Sequence, residues 1–288
     1  IGVYNQFDDV IFREQIPGPD DYYRYVERQT GVYLLWRYPF NRFLRFEFDQ
    51  MLHRRKTRWD YWGWNEDASD GTWNQYEAPR YDWVWAPGVT LVHDNALFGS
   101  TGPLVGWRAM GTLRTSLTDG KLDYVTAYAD WRGYKLFNRR YGLAARALAG
   151  FSSDFSQNGD TQDTAQYFDL WGIDGVRGHD DYDIGHKKLL ASAELRFPFF
   201  DYIAMAFPVP LTIPNIRGAV FADLGTVFDE VKSFRPMQDN KLKDIKLGYG
   251  FGPRLNLGYV VLRLDIAWAS DLSKISKPAY FLSLSEDF

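Results

Sequence analysis

Arg177 is the residue that most needs a partner. It sits in Val176-Arg177-Gly178-His179, within a stretch that also holds Asp174, Asp180, Asp181 and Asp183 and the glycines Gly172 and Gly175. A guanidinium takes two carboxylates at once through forked, charge-assisted hydrogen bonds. The glycines let backbone fold tightly around it, because glycine reaches positive φ without steric cost. Two readings follow: an exposed polar hairpin loop, or a loop that turns back into a polar interior and plants Arg177 on buried carboxylates. The other chemical candidates are weaker. His53, His93, His179 and His186 show no ligand spacing of the His-x-x-x-His kind, so structural or surface roles are expected. Glu66, Asp70, Gly71 and Glu77 match part of a calcium-loop template, but Ala68 stands at a ligand position and no helices flank the segment. Asp180, Asp181 and Asp183 beside His186 read as a solvated acidic loop rather than a divalent-ion site. Gly-x-Ser-x-Gly is absent, and Ser152 and Ser153 near Asp154 lack a histidine at usable spacing. Neither a metal, a cofactor nor a catalytic site is expected, and a hydrolase at the rim of a barrel is the enzyme-class alternative.

Whether Arg177 has a polar interior to enter depends on the elements around it. At 288 residues the chain holds one large β domain or two ordinary ones. Mean hydropathy is -0.38, and no run approaches the roughly 20 apolar residues of a membrane-spanning helix. A transmembrane β-barrel stays open, because its strands alternate lipid-facing and lumen-facing residues while Trp and Tyr gather at the two interfaces. The chain has 11 Trp and 19 Tyr. Its net charge of -4 argues against a nucleic-acid partner. With no cysteine there are no disulfides, thiolate metal sites or cysteine nucleophiles. The first residue is Ile1 and nothing near it resembles a signal peptide, so a processed or truncated form is expected.

Period-2 patterning runs from end to end. Candidate strands are 1–8, 29–38, 42–52, 82–94, 104–117, 122–137, 141–152, 188–198, 213–228, 243–257, 260–269 and 279–288, with a polar, Trp-rich loop over 59–80 and a long loop over about 153–187. The second half alternates most cleanly. Leu189, Ala191, Ala193, Leu195 and Phe197 oppose Ser192, Glu194 and Arg196. Val220, Ala222 and Leu224 oppose Arg217, Phe221 and Asp223, and Leu262, Leu264, Ile266 and Trp268 oppose Arg263, Asp265 and Ala267. A sandwich would bury the apolar faces, whereas a membrane barrel would turn them to lipid and line its lumen with the charges. The aromatic ends of the apolar faces and the alternation of short and long loops favour the barrel. Gly248, Gly250 and Gly252 alternate on the lumen face and are expected to leave room for the long loop to approach the wall.

Four elements then carry a family likeness, in order. They are Val176-Arg-Gly178; Ala191-Ser-Ala-Glu194-Leu-Arg-Phe-Pro198; Gly218-Ala-Val-Phe221-Ala-Asp223-Leu-Gly225-Thr-Val-Phe228-Asp; and Gly248-Tyr-Gly-Phe-Gly-Pro-Arg254 followed by Leu262-Arg-Leu-Asp265-Ile-Ala267. Over about residues 170–288 the chain resembles the BamA/TamA-type outer-membrane assembly and translocation barrels, the bacterial surface antigen family. A last strand with Tyr280, Leu282, Leu284 and Phe288 on one face completes the likeness.

The resemblance implies an all-β transmembrane antiparallel barrel in the bacterial outer membrane, occupying residues 1–288 with no soluble periplasmic domain. The twelve strands would be the C-terminal part of a sixteen-stranded barrel, with a closed twelve-stranded barrel as the alternative. It implies that the long loop enters the lumen and that Arg177 meets Glu194 and Asp223, with Phe221, Gly225, Arg254 and Asp265 as supporting lumen residues. His179 departs from the Phe or Tyr that the family usually has after the glycine. The implied activity is insertion or translocation of other proteins through a lateral seam at the last strand. Outer-membrane lipid, client proteins and periplasmic or lipoprotein subunits would be the partners. A passive structural barrel or pore subunit is the competing reading.

Overall fold

Apolar–polar alternation places every second side chain on one face of an extended strand, and in the computed structural model this builds one large antiparallel sheet. The structure describes residues 2–12, 22–64, 71–75, 78–99, 101–118, 121–155, 168–170, 172, 175–179, 183–206, 208, 210–257 and 260–285. Twelve main strands follow one another in space as in the chain. They are β1 (Gly2–Phe12), β2 (Tyr22–Pro39), β3 (Leu44–Trp64), β4 (Arg80–Asp94), β5 (Gly102–Thr118), β6 (Lys121–Phe137), β7 (Tyr141–Asp154), β8 (Lys187–Met205), β9 (Leu211–Phe228), β10 (Lys246–Asn256), β11 (Val261–Ser270) and β12 (Ala279–Ser285). No helix occurs among the described residues. Nor does a ladder join β12 to β1 there, so the closed twelve-stranded alternative is not formed and the sheet ends on two edges.

Several boundaries differ from the sequence reading. The expected polar loop over 59–80 is partly strand: β3 runs on to Trp64, and Gly71–Gln75 pairs back along it. The turn before β5 contains a short strand, Leu97–Gly99, paired with β5. β8 and β9 extend furthest beyond their neighbours. The β7–β8 ladder stops at Gly142↔Arg196 and the β9–β10 ladder at Arg217↔Arg254. β8 and β9 nevertheless stay paired from Pro198↔Arg217 to Met205↔Leu211, across an irregularity between Pro198 and Phe200.

Burial is inverted relative to a soluble protein. Glu194, Asp223, Arg254 and Asp265 are 0–3% exposed, whereas Leu195, Val220, Leu224 and Phe251 are 42–50% exposed on the opposite face. A sandwich would bury its apolar faces and leave its charges to water, so charges inward with the apolar face exposed select a charged lumen and a lipid-facing outer surface. The two ends of the sheet also differ. One carries short turns, such as 40–43, where Asn41 Oδ1 accepts from the Phe43 and Leu44 amides, and 138–140, where Asn138 and Arg139 take positive φ. Aromatic pairs ring that end: Tyr38–Phe40, Phe137–Tyr141 and Phe199–Phe200, with His93 stacked on Trp107. The other end carries the long connections over 155–186 and 229–245. Short turns on one side and long loops on the other are the arrangement of outer-membrane barrels.

Candidate functional site

The long loop between β7 and β8 returns to the inner face of the wall. Phe168–Asp169 pairs with Ile184–Gly185 to close its neck, and the chain turns at Arg177–Gly178 with Gly178 at φ 99°. A side chain at Gly178 would run into the main chain of Trp268 and Ala269 on β11. Two wall glycines make room on the other side. A β-carbon at Gly248 would strike the Arg177 carbonyl, and one at Gly225 would strike Val176 and Leu170. Gly250 and Gly252 do something else, which corrects the expectation that all three alternating glycines admit the loop. They leave space for the Phe221 ring and the Asp265 carboxylate. Val176 is fully buried in a small apolar cluster with Leu148, Leu170 and Leu190, so the loop is held by packing as well as by charge.

Arg177 is 3% exposed and spends every arm on a carboxylate. Its Nε and Nη2 donate to the two oxygens of Asp223 at 2.7 and 2.9 Å, a forked pair, and its own amide donates to Asp223 Oδ2 at 3.3 Å. Nη1 donates to Asp265 Oδ2 at 3.0 Å and lies 3.6 Å from Glu194 Oε2. The guanidinium carbon stands 3.4 Å from the centre of the Phe221 ring, whose face favours a cation. Burial works against the Arg177 charge. The bond to Asp223 and the fields of Asp223, Glu194 and Asp265 outweigh it and hold the group above its ordinary pKa.

The sequence reading assigns Glu194 and Asp223 as the two partners. The structure gives Asp223 the fork, brings Asp265 in as the second hydrogen-bonded partner and leaves Glu194 at ion-pair distance only. Glu194 is held instead by Arg196 Nε at 2.7 Å and Arg254 Nη2 at 3.0 Å, with Arg263 Nη2 at 3.8 Å. Arg254 Nη1 also donates to Asp265 Oδ1 at 2.5 Å, which closes a ring from Arg177 through Asp265 and Arg254 to Glu194. Arg196 and Arg263 lie outside the sequence-based site. Their position two residues from Glu194 and Asp265, on the same face, is the signal that could have found them.

His179 finds a partner of its own, with Nε2 3.1 Å from the Leu247 carbonyl on β10. Asp183 pairs with Lys246 at 2.5 Å and His186 with Asp229 at 2.7 Å, so these two are not assembled into a metal site. No group of three or more potential metal ligands occurs among the described residues. Asp180 and Asp181, the calcium-template residues Glu66, Asp70 and Glu77, and Phe288 lie outside the described residues. Tyr280, Leu282 and Leu284 share the outer face of β12 and are 65–76% exposed.

An antiparallel sheet with apolar outer and charged inner surfaces, latched from within by its longest loop, defines a transmembrane β-barrel wall. The family follows from a match over residues 90–279 to the Omp85 superfamily domain, about two thirds of the chain: the protein belongs to the Omp85 superfamily. A search of curated proteins gives no match. Among solved structures, BamA from Haemophilus ducreyi lacking POTRA domains 1-3 is similar, with a TM-score of 0.59 and 15% identity, covering 92% of this chain and 54% of that one. CdiB from Acinetobacter baumannii is similar with a TM-score of 0.56 and 13% identity, covering 98% of this chain and 46% of that one. At such identities the likeness shows the fold, and the chain spans about half the length of these structures.

Proposed function

We propose that this chain forms the membrane-embedded wall of a bacterial outer-membrane machine that inserts or translocates other proteins, with no catalytic chemistry of its own. The observation that carries this reading is a strand wall with a charged inner face and an apolar outer face in an Omp85 superfamily member, with the long loop held on the inner face by Arg177. Beside a seam, β12 would offer its edge to an incoming strand by β-augmentation. In a sixteen-stranded barrel four further strands would stand beside β1, and the seam would lie between the first of them and β12. The Arg177 ring stiffens β8 to β11 behind that seam, so the wall keeps its register while the edge opens. Its partners are outer-membrane lipid, unfolded client barrels or secreted chains, and periplasmic or lipoprotein subunits.

The test is reconstitution of the chain in liposomes, followed by the rate at which a urea-denatured outer-membrane barrel acquires heat-modifiable mobility. Acceleration over empty liposomes supports the reading. A rate equal to that of empty liposomes, with the chain itself folded, leaves a passive structural barrel.

A further inference from the structure

The ribbon formed by β8 and β9 beyond their neighbours lies at the short-turn end and begins at the aromatic pair Phe199–Phe200. Every residue from Pro198 to Ala206 is exposed, including Phe199 at 52%, Phe200 at 49%, Tyr202 at 65%, Ile203 at 40% and Met205 at 47%. Residues 198–216 contain one charged side chain, Asp201. Consecutive positions of a strand point to opposite faces, so Tyr202 and Ile203 expose apolar surface on both sides of the ribbon. A membrane surface would cover one face only, and a bare two-stranded ribbon is marginal in water.

Its two edges are unlike. The β9 edge carries Pro214, with Pro208 and Pro210 in the adjoining turn, and proline cannot donate to a ladder. Residues 199–205 on the β8 edge contain no proline. This edge holds β7 as far as Gly142↔Arg196; past Pro198 and the irregularity that follows it, the positions on this side are vacant among the described residues. Tyr202 lies opposite Pro214. A proline fits a ladder at a position that exchanges no main-chain hydrogen bonds with its partner, so Tyr202 N–H points to the vacant edge.

We propose that residues 199–205 of β8 are a docking edge for an extended, apolar polypeptide segment, which adds as a strand in line with β7. The occupant is a strand because the edge offers main-chain donors and acceptors, and an apolar one because both flanking faces are apolar. This rests on the reading that the protein handles unfolded outer-membrane chains, and it places a receiving edge on the side of the sheet away from the long loops. The guarded β9 edge directs the segment to one side.

The experiment uses the full chain in nanodiscs with a photo-crosslinking residue at Ile203. The probe is a synthetic peptide of this chain's own last strand, Ala279–Phe288, and the control is a peptide of the same composition with its alternation removed. The proposal expects adducts with the alternating peptide and none with the control. It also expects a fall of about tenfold in anisotropy-measured affinity in Tyr202→Pro, which removes an edge donor, and in Ile203→Lys, which places a charge on the edge. If Tyr202→Pro loses heat-modifiability, the affinity of Ile203→Lys decides. Adducts to lipid, adducts to a second copy of the chain, or equal yields with both peptides overturn it. Peptide binding without accelerated client insertion would sink the proposed function and leave the docking edge standing.

Discussion

The two halves of the wall handle buried charge differently. In β3 to β7 the lumen charges include Arg114 with Asp49 at 2.8 Å, Asp130 between Arg132 and Arg146 at 2.9 and 3.0 Å, and Arg55 between Asp82 and Asp123 at 3.5 and 3.6 Å. In β8 to β11 four arginines and three carboxylates form one connected set, and one of those arginines comes from a loop. A separate pair can lose one member while the rest of the wall stays intact. A connected set transmits the loss, because its arginines and carboxylates are shared from one strand to the next.

The largest expected effect is therefore Arg177→Ala. It leaves Asp223 buried with its charge uncompensated and Asp265 with Arg254 alone, at about 3–5 kcal/mol. Arg114→Ala in the other half should cost less, about 1.5–3 kcal/mol, the value of a hydrogen bond to a charged group, since Arg114 is 31% exposed and water can reach the Asp49 it leaves. Urea titration in detergent micelles compares them, and equal losses would mean that the connected set adds nothing. Gly248→Val is the next step down and removes no charge. It fills the space of the Arg177 carbonyl, so the loop should leave the wall while the sheet stays folded. Faster protease cleavage within 155–186 with unchanged heat-modifiability is the expected result, and unchanged cleavage would show that the loop is not held there. Lys246→Ala should be smallest. Its partner Asp183 is 44% exposed, and half-exposed pairs contribute below about 1 kcal/mol. A larger loss would extend the network to the loop's rim.

Much of this is legible in the sequence, for definable reasons. The inward positions of Glu194, Asp223 and Asp265 follow from period-2 parity alone. Which of them meets Arg177 does not, since that depends on how far β9, β10 and β11 are staggered, and the stagger puts Asp265 rather than Glu194 within hydrogen-bond reach. The far end of β3 reads as a loop because Trp59 to Trp64 breaks alternation with aromatic residues on both parities. The overhang of β8 escapes the pattern for the same reason. From Phe199 to Met205 both faces are apolar, so a pattern built on contrast stops at Pro198. His179 looks anomalous in sequence because it departs from the Phe or Tyr expected after the glycine, and its contact with the Leu247 main-chain carbonyl leaves no mark there.

The latch also has a place in time. Each strand of the sheet pairs with the next, so the wall can be laid down hairpin by hairpin with short loop closures. Arg177 cannot complete its contacts that way: Asp223 lies 46 residues further along the chain and Asp265 lies 88. Until β11 is in place the arginine has only part of its ring, and an incompletely neutralised cation in a closing lumen is costly. The loop can therefore complete its contacts only after β11 has joined the sheet, which puts its final seating late in assembly of the wall.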